Sequence, residues 1–281
     1  MLVGRKGVGK RFSVRQAAIE HFSQDGRDFH EHQIKAGVHP DYVELGADLG
    51  VDAVRGLVAQ TQSMPMLASH KYLVIDGADE MTEAAANALL KTLEEPPDFC
   101  RFFLLTDSES RVMPTVRSRC CRVRYSPLPE HVVVEGLSEY EEDPVKRVVY
   151  ARLAEGSVGE AVQFWSAGKI ALRNRVFQLM TKVMSADLPA IMTGVDELAE
   201  ELSLAIRFYD HLLHDLLVMS FSPDRISNLD LADELAKLRK GLGPRLGLLY
   251  TDWRGMRTVF DRPSLVHEFH LKTHLLTLFS G

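Results

Sequence analysis

Three glycines and a lysine near the start of the chain have the spacing of a phosphate-binding loop. Four residues separate Gly4 from Gly9, Gly7 lies between them, and Lys10 follows. Glycines allow backbone N–H groups to curl around a phosphate, and the lysine reaches its outer oxygens. The next residue in such loops is Ser or Thr, whose hydroxyl helps to hold Mg²⁺, but here it is Arg11. Taken alone, the segment fits a glycine-rich turn with basic neighbours equally well.

A second chemical signal is the acidic residue that ends a short apolar run. Tyr72–Ile75 is typical of a buried parallel strand, and Asp76 follows it directly. An acid at the end of such a strand, downstream of a phosphate-binding loop, helps to bind the metal that accompanies the phosphates. Asp76 therefore favours the phosphate interpretation. We interpret the nearby Asp79 and Glu80 as turn and N-terminal helix residues, where the helix dipole favours acids.

The elements that must position these residues alternate between strand-like and helix-like segments up to residue 127. Such alternation predicts an α/β fold with a parallel sheet. Pro96-Pro97 ends one helix, because proline lacks the N–H and restricts the residue before it. The predicted strands are 1–3, 42–45, 72–75, 101–106 and 120–125, and the predicted helices are 12–22, 51–62 and 82–94.

After residue 127 the strand signals fade and helical patterns take over. Asp143-Pro144 predicts a helix start, with the aspartate as N-cap and proline in the first turn. Gly156-Ser157 interrupts that helix, and a second runs to about residue 167. An amphipathic stripe predicts a packed helix, and a last helix is predicted over 265–279. The stripe consists of Leu198, Leu202, Ala205, Tyr209, Leu212, Leu216 and Met219.

Composition narrows the class of protein. Hydrophobic residues make up 46% and charged residues 26%, the balance of a globular protein. No apolar run approaches the roughly 20 residues that span a bilayer, and the first residues lack the apolar segment of a secretory signal, so we expect a cytoplasmic protein. Three cysteines without a Cys-x-x-Cys spacing predict free thiols. A formal charge of −6 argues against an autonomous DNA-binding module.

Longer motifs carry a family resemblance. Residues 84–97, Ala-Ala-Ala-Asn-Ala-Leu-Leu-Lys-Thr-Leu-Glu-Glu-Pro-Pro, and residues 115–120, Thr-Val-Arg-Ser-Arg-Cys, closely resemble the clamp-loader family of AAA+ proteins. His39-Pro40-Asp41 and residues 156–161 are also similar to that family. The resemblance is strong over about 4–161 and implies a P-loop (RecA-like, AAA+) α/β domain with a parallel sheet over 1–127. It further implies a small helical lid over 128–168 and an all-α collar over 169–281.

The resemblance also implies partners and a role for Arg119. The partners are other clamp-loader subunits, of the gamma/tau and delta types, in a hetero-oligomeric ring that acts on a sliding clamp and primer–template DNA. In the family the arginine of Ser118-Arg119-Cys120 projects towards the γ-phosphate of ATP on the neighbouring subunit, where a guanidinium neutralises developing charge. Ser118 and Cys120 are expected to pack and orient the segment. The alternative is that Arg119 pairs with a surface carboxylate.

The nucleotide site of this chain departs from active relatives. Gly77 stands where a catalytic Glu follows the strand-end Asp, and Arg11 replaces the metal-binding hydroxyl. We therefore expect a degenerate site formed by Gly4, Gly7, Gly9, Lys10 and Asp76, with no cofactor required and at most weak ATP/Mg binding. Thr106 matches a γ-phosphate sensor, but we interpret it as a turn hydroxyl. Val158-Gly159-Glu160 offers no second-sensor arginine. Because the lysine and the aspartate remain, an active ATPase of the gamma/tau type is the alternative.

Two further departures concern metal and the front of the fold. Most relatives carry a four-cysteine zinc module, whereas the stretch 23–39 has no cysteine. We expect His30, His32 and His39 to be solvated in a polar loop and to bind no metal. The chain also begins almost inside the phosphate-binding loop. Either a preceding segment is missing from it or the nucleotide pocket has lost a wall.

Overall fold

A computed structural model of the chain describes residues 1–25, 29–46, 48–184, 188–260, 271 and 274. The chain divides into two compact units, Met1–Leu128 and Pro129–Gly281. The division into an α/β domain, a lid and a collar at residues 127 and 168 stays a prediction. No described helix has both the length and the apolar character needed to cross a membrane.

The first unit is built on a five-stranded parallel sheet, which confirms the predicted α/β class. The strand order is β2 (Tyr42–Leu45), β3 (Lys71–Asp76), β4 (Cys100–Thr106), β1 (Leu2–Val3) and β5 (Val123–Arg124). Among the described residues of this unit, five α-helices connect the strands. The elements in chain order are β1 Leu2–Val3, α1 Lys10–Phe22, α2 Phe29–Ala36, β2 Tyr42–Leu45, α3 Val51–Ala59, β3 Lys71–Asp76, α4 Glu83–Glu94, β4 Cys100–Thr106, α5 Pro114–Arg117 and β5 Val123–Arg124.

A hydrophobic core covers each face of the sheet. Because side chains alternate along each strand, neighbouring residues of one strand enter different cores. Leu73 and Ile75 lie in the core that α3 and α4 complete. Tyr72 and Val74 lie in the opposite core, with residues of α1 and α2. A strand buried on both faces explains why Tyr72–Ile75 is a continuous apolar run in the sequence.

The register aligns three strand ends. Asp76 of β3 is level with Leu105 of β4, and Leu105 is level with Leu2 of β1. The residues that follow β1, β3 and β4 therefore meet at one edge of the sheet. In open parallel sheets this carboxyl edge is where ligands bind.

The helix α4 has the limits that its sequence predicts. Thr82 precedes it, and the Thr82 hydroxyl accepts a hydrogen bond from the Ala85 N–H at 3.2 Å, as an N-cap does. Ala85, Ala86 and Leu89 form its buried face. The helix ends at Glu94, before the two prolines.

The predicted strand over 120–125 is wrong in length. Only Val123–Arg124 forms a strand, because β5 has just the two residues of β1 to pair with. The Val123 N–H donates to the Met1 carbonyl at 2.9 Å, and the Tyr125 N–H donates to the Val3 carbonyl at 2.7 Å. Residues 119 and 120 instead continue the turn after α5.

The prediction of three solvated histidines is wrong for two of them. His30 lies on α2, a helix that was not predicted, and is fully buried, and His39 is also buried. Nδ1 of His30 lies 2.8 Å from Nε2 of His39, and Nδ1 of His39 accepts a hydrogen bond from the Asp41 N–H at 3.0 Å. These two contacts give both ring nitrogens of His39 and Nδ1 of His30 a hydrogen-bond partner despite their burial. His32 is exposed, as predicted.

The described part of the second unit is helical and contains no strand. Asp143 caps the helix Pro144–Leu153 by accepting from the Val145 N–H at 2.8 Å, and Ser157 caps the helix Val158–Ser166 by accepting from the Glu160 N–H at 3.0 Å, so both predicted helix starts are confirmed. The helices are α6 Glu130–Gly136, α7 Pro144–Leu153, α8 Val158–Ser166, α9 Ile170–Met184, α10 Leu188–Asp196, α11 Leu202–Val218, α12 Ala232–Leu242 and α13 Arg245–Phe260.

The amphipathic stripe is a packed helix face. Ala205, Tyr209, Leu212 and Leu216 are all buried on α11. This confirms that the stripe belongs to a helical core. The helix predicted over 265–279 lies outside the described residues except at positions 271 and 274.

Candidate functional site

The predicted phosphate-binding loop connects β1 to α1 at the carboxyl edge of the sheet. Gly7 and Gly9 adopt positive φ values of 78° and 95°, which turn the chain tightly into α1. Gly4 follows β1, and its N–H donates to the Thr106 carbonyl at 3.1 Å. The glycines are thus placed as the motif predicts.

The lysine of this loop is occupied by the chain itself. Lys10 is the first residue of α1 and is 6% exposed. Its ammonium donates to the carbonyl of Gly4, to the carbonyl of Arg5 at 3.0 Å and to Oδ1 of Asp107 at 2.7 Å. An ammonium has three N–H donors, so these three acceptors satisfy it completely. A phosphate has to displace them to reach Lys10.

Arg11 also has a partner within the fold. Its guanidinium pairs with Glu44 of β2, and Glu44 accepts from Nη2 of Arg15 at 3.1 Å as well. The Arg11 side chain is 53% exposed, whereas that of Glu44 is 10% exposed. Arg11 therefore compensates a largely buried carboxylate and supplies no hydroxyl for a metal.

Asp76 is half-buried at the end of β3, beside the same charges. Burial raises the pKa of Asp76, Arg11 and Lys10 oppose that rise, and Glu44 and Asp107 add to it. Within the described residues, no hydrogen bond or ion pair reaches its carboxylate. Of the residues predicted to form the nucleotide site, Asp76 is therefore the one whose side chain is best suited to bind a metal ion.

Gly77 supplies neither a base nor a backbone suited to one. Its φ is +94°, a conformation that residues with a side chain rarely adopt. A Cβ on Gly77 would lie 3.2 Å from Cδ1 of Leu49. Both facts disfavour a glutamate at this position.

Thr106 is satisfied within the fold rather than free to sense a phosphate. It is 1% exposed, and its hydroxyl donates to Oδ1 of Asp79 at 2.7 Å and accepts from the Ser108 N–H at 3.1 Å. Arg111 pairs with the other oxygen of Asp79. Burial alone would raise the pKa of Asp79, but hydrogen bonds from Thr106, its own backbone N–H and Arg111 outweigh burial and lower it.

Mg-ATP does not fit this arrangement. The lysine is saturated, the metal-binding hydroxyl is absent, and no base follows Asp76. Within the described part of the chain, no group of three or more histidine, cysteine, aspartate or glutamate side chains is arranged to hold a metal ion.

The Ser118-Arg119-Cys120 segment lies just after α5, away from the phosphate-binding loop in sequence. The Arg119 side chain is 31% exposed. Its Nε donates to Oε1 of Glu94 at 2.7 Å, its Nη2 contacts the same oxygen, and its Nη1 donates to the Thr115 carbonyl at 2.8 Å. The side chain is thus at the surface and pairs with a surface carboxylate.

The two flanking residues differ in their surroundings. The Ser118 hydroxyl donates to the Thr115 carbonyl at 3.0 Å, which closes the end of α5. Cys120 packs against the core beneath α4, and burial raises the pKa of its thiol. A raised pKa makes a thiol less reactive, so Cys120 is suited to packing. Cys121 is exposed.

Three acidic residues of this region were not predicted. Asp107, Glu44 and Glu94 each hold a basic residue that the motifs singled out. Asp107 follows β4, so its position was foreseeable only from the strand order, which puts β4 next to β1. Glu44 carried no local signal, and Glu94 lies in the 84–97 motif without any sign there that it contacts Arg119.

The sheet order, the glycine loop after β1 and the acid after β3 define a domain with the P-loop fold of the AAA+ class. The family described as DNA polymerase III, delta subunit, matches residues 1–129. DNA polymerase III subunit delta′ of Escherichia coli (strain K12) is 33% identical over 219 residues, which cover 75% of this chain and 65% of that protein. The delta′ subunit of Haemophilus influenzae is 44% identical over 93 residues, 32% of this chain and 28% of that protein.

A solved structure has a similar fold. A DNA polymerase III, gamma subunit-related protein from Thermotoga maritima superposes with a TM-score of 0.50 at 17% identity, covering 100% of this chain and 93% of that one. The chain is thus similar to bacterial DNA polymerase III delta-prime subunits over part of their length. It spans just under two thirds of the length of the E. coli relative.

Proposed function

We propose that this chain is a non-hydrolysing subunit of a bacterial DNA polymerase III clamp loader. It acts in the cytoplasm, within a ring of gamma/tau- and delta-type subunits that loads the sliding clamp onto primed DNA. In that ring it supplies Arg119 in trans to the ATP of a neighbouring subunit. The similarity to delta-prime subunits supports the assembly, and the contacts of Lys10 and Arg119 support the division of labour.

The observation that carries the proposal is the contrast between Lys10 and Arg119. Lys10 is 6% exposed and saturated by its own loop and Asp107, so the site that would bind ATP in this chain is closed. Arg119 is also paired, with Glu94, but this pair lies at the surface, where a phosphate from another subunit can reach the guanidinium. A guanidinium in that position stabilises the charge of phosphoryl transfer.

The test is the ATPase activity of the reconstituted assembly containing the full-length chain with Arg119→Ala. We expect turnover at the neighbouring site to fall by a factor on the order of 10³, so that the assembly loses that site's share of DNA-stimulated hydrolysis. Arg124→Ala is the matched control, because Arg124 is a nearby exposed arginine, 78% exposed. Unchanged ATPase and clamp loading with Arg119→Ala would refute the role in trans.

The alternative is an active ATPase of the gamma/tau type, which the retained carboxylate of Asp76 favours. ATP hydrolysis by the purified chain distinguishes the two. A rate that Lys10→Ala abolishes would support the active ATPase. We expect no hydrolysis above background.

A further inference from the structure

Arg119 is held by a specific partner rather than projecting freely. All three guanidinium nitrogens have acceptors: Nε and Nη2 share Oε1 of Glu94, and Nη1 donates to the Thr115 carbonyl. A guanidinium that binds a phosphate has to present these same N–H groups. Arg119 cannot keep its present contacts and also bind a triphosphate through them.

The position of Glu94 is not explained by helix stability. Glu94 is the last residue of α4, where the helix dipole is negative and disfavours a carboxylate. Its side chain is 49% exposed, so burial does not stabilise it there either. The contact that offsets this unfavourable position is the pair with Arg119.

The pair is also weak enough to exchange. Both side chains are partly exposed, and ion pairs of this kind contribute little net free energy. A triphosphate offers several anionic oxygens with bidentate geometry, which a single carboxylate oxygen does not match. A nucleotide on an adjacent subunit can therefore displace Glu94.

We propose that Glu94 is a positioning residue that holds Arg119 in a withdrawn state until a neighbouring triphosphate displaces it. This inference rests on the proposed function, because it assumes that Arg119 acts in trans. The new element is a restraint, by Glu94, on the arginine that reaches the neighbouring ATP. The carboxylate lowers the fraction of assemblies in which Arg119 is free to engage, so it weakens apparent ATP binding at the neighbouring site.

The test compares reconstituted assemblies containing Glu94→Gln, Arg119→Ala or both, with Glu95→Gln as the control. Glu95 is the adjacent exposed acid and has no side-chain partner among the described residues. We expect Glu94→Gln to raise kcat/KM for ATP, measured without DNA, about two- to fivefold, chiefly through a lower KM. Glu95→Gln leaves both constants unchanged.

The double variant decides whether the effect passes through Arg119. We expect Glu94→Gln to have no effect in the Arg119→Ala background. The same rise in that background, or a fall or no change in kcat/KM with Glu94→Gln alone, would overturn the restraint. If Arg119→Ala itself leaves the ATPase intact, the proposed function fails. If Arg119→Ala lowers it while Glu94→Gln changes nothing, only the restraint fails.

Discussion

Nζ of Lys10 lies 2.7 Å from Oδ1 of Asp107, inside the loop whose glycines would cradle a phosphate. Asp107 belongs to the segment after β4, and the parallel order places that segment beside the end of β1. The aspartate therefore supplies in this fold the negative charge that a phosphate supplies in a working loop. The arrangement stabilises a buried ammonium without any nucleotide.

Replacing Asp107 should open the loop to nucleotide. With Asp107→Ala, Lys10 loses its charged partner, and the negative charge that repels a phosphate is removed. We expect binding of a fluorescent ATP analogue, followed by anisotropy, to tighten by roughly three- to tenfold. Asp98→Ala, which removes an exposed acid before β4, should leave binding unchanged. Equal affinities for the Asp107 variant and the unaltered chain would show that Asp107 does not close the site.

Restoring the missing catalytic acid should fail for a reason of backbone conformation. Gly77→Glu places a side chain at φ +94° and close to Leu49. We expect the free energy of unfolding in urea to fall by about 1–3 kcal/mol, with no gain of ATPase activity. Gly56→Ala is the control, because Gly56 lies within α3 with open space around it, and alanine there should be neutral or stabilising. A Gly77→Glu chain as stable as the original would contradict the strain.

Much of the α/β fold was predictable because its strands and longer helices left periodic patterns in the sequence, whereas the short helices α2 and α5 were not predicted. The β3 run is apolar throughout since both of its faces are buried, and Thr82 and Asp143 mark helix starts by capping chemistry. The length of β5 was overestimated, because its partner β1 offers only two residues for pairing and the sequence around β5 does not indicate this. The length of an edge strand depends on the strand beside it, so it cannot be predicted from the local sequence alone.

The candidate site was predictable only for residues that belong to motifs. Lys10, Asp76 and Arg119 stand in recognisable local patterns. Their partners Asp107 and Glu94 come from elements that approach them only in the folded chain. The histidine pair shows the same limit, since His30 and His39 are nine residues apart and their contact depends on the unpredicted helix α2.

The Thr106 hydroxyl should matter for stability and not for nucleotide. Thr106→Val keeps the shape of the side chain but removes the hydrogen bond to the largely buried carboxylate of Asp79. We expect the free energy of unfolding in urea to fall by about 1–3 kcal/mol. Thr115→Val, at an exposed position of α5, is the control and should change it little. A loss of nucleotide binding without a loss of stability would instead favour a sensor role.

The contacts of the buried histidine pair define its protonation. Because Nδ1 of His39 accepts from the Asp41 N–H, the neutral ring carries its proton on Nε2 and donates it to Nδ1 of His30. Protonating His39 would place a second N–H against the Asp41 N–H. Burial lowers the pKa of His39, Asp41 opposes this shift, and His30 adds to it.

Acid should therefore weaken the first unit through His39. The folded-state pKa lies below the unfolded value of about 6.5, so the unfolded chain binds more protons between the two values. The stability that neutral His39 contributes is fully present above the unfolded pKa and is lost as the pH falls through the folded pKa, by up to about 1.4 kcal/mol per pH unit.

His39→Gln removes the titrating ring while keeping a donor towards His30. We expect urea unfolding between pH 8 and pH 5.5 to show a stability difference from the unaltered chain that shrinks as the pH falls. A constant difference for His39→Gln between pH 8 and pH 5.5 would mean that His39 does not confer this acid sensitivity.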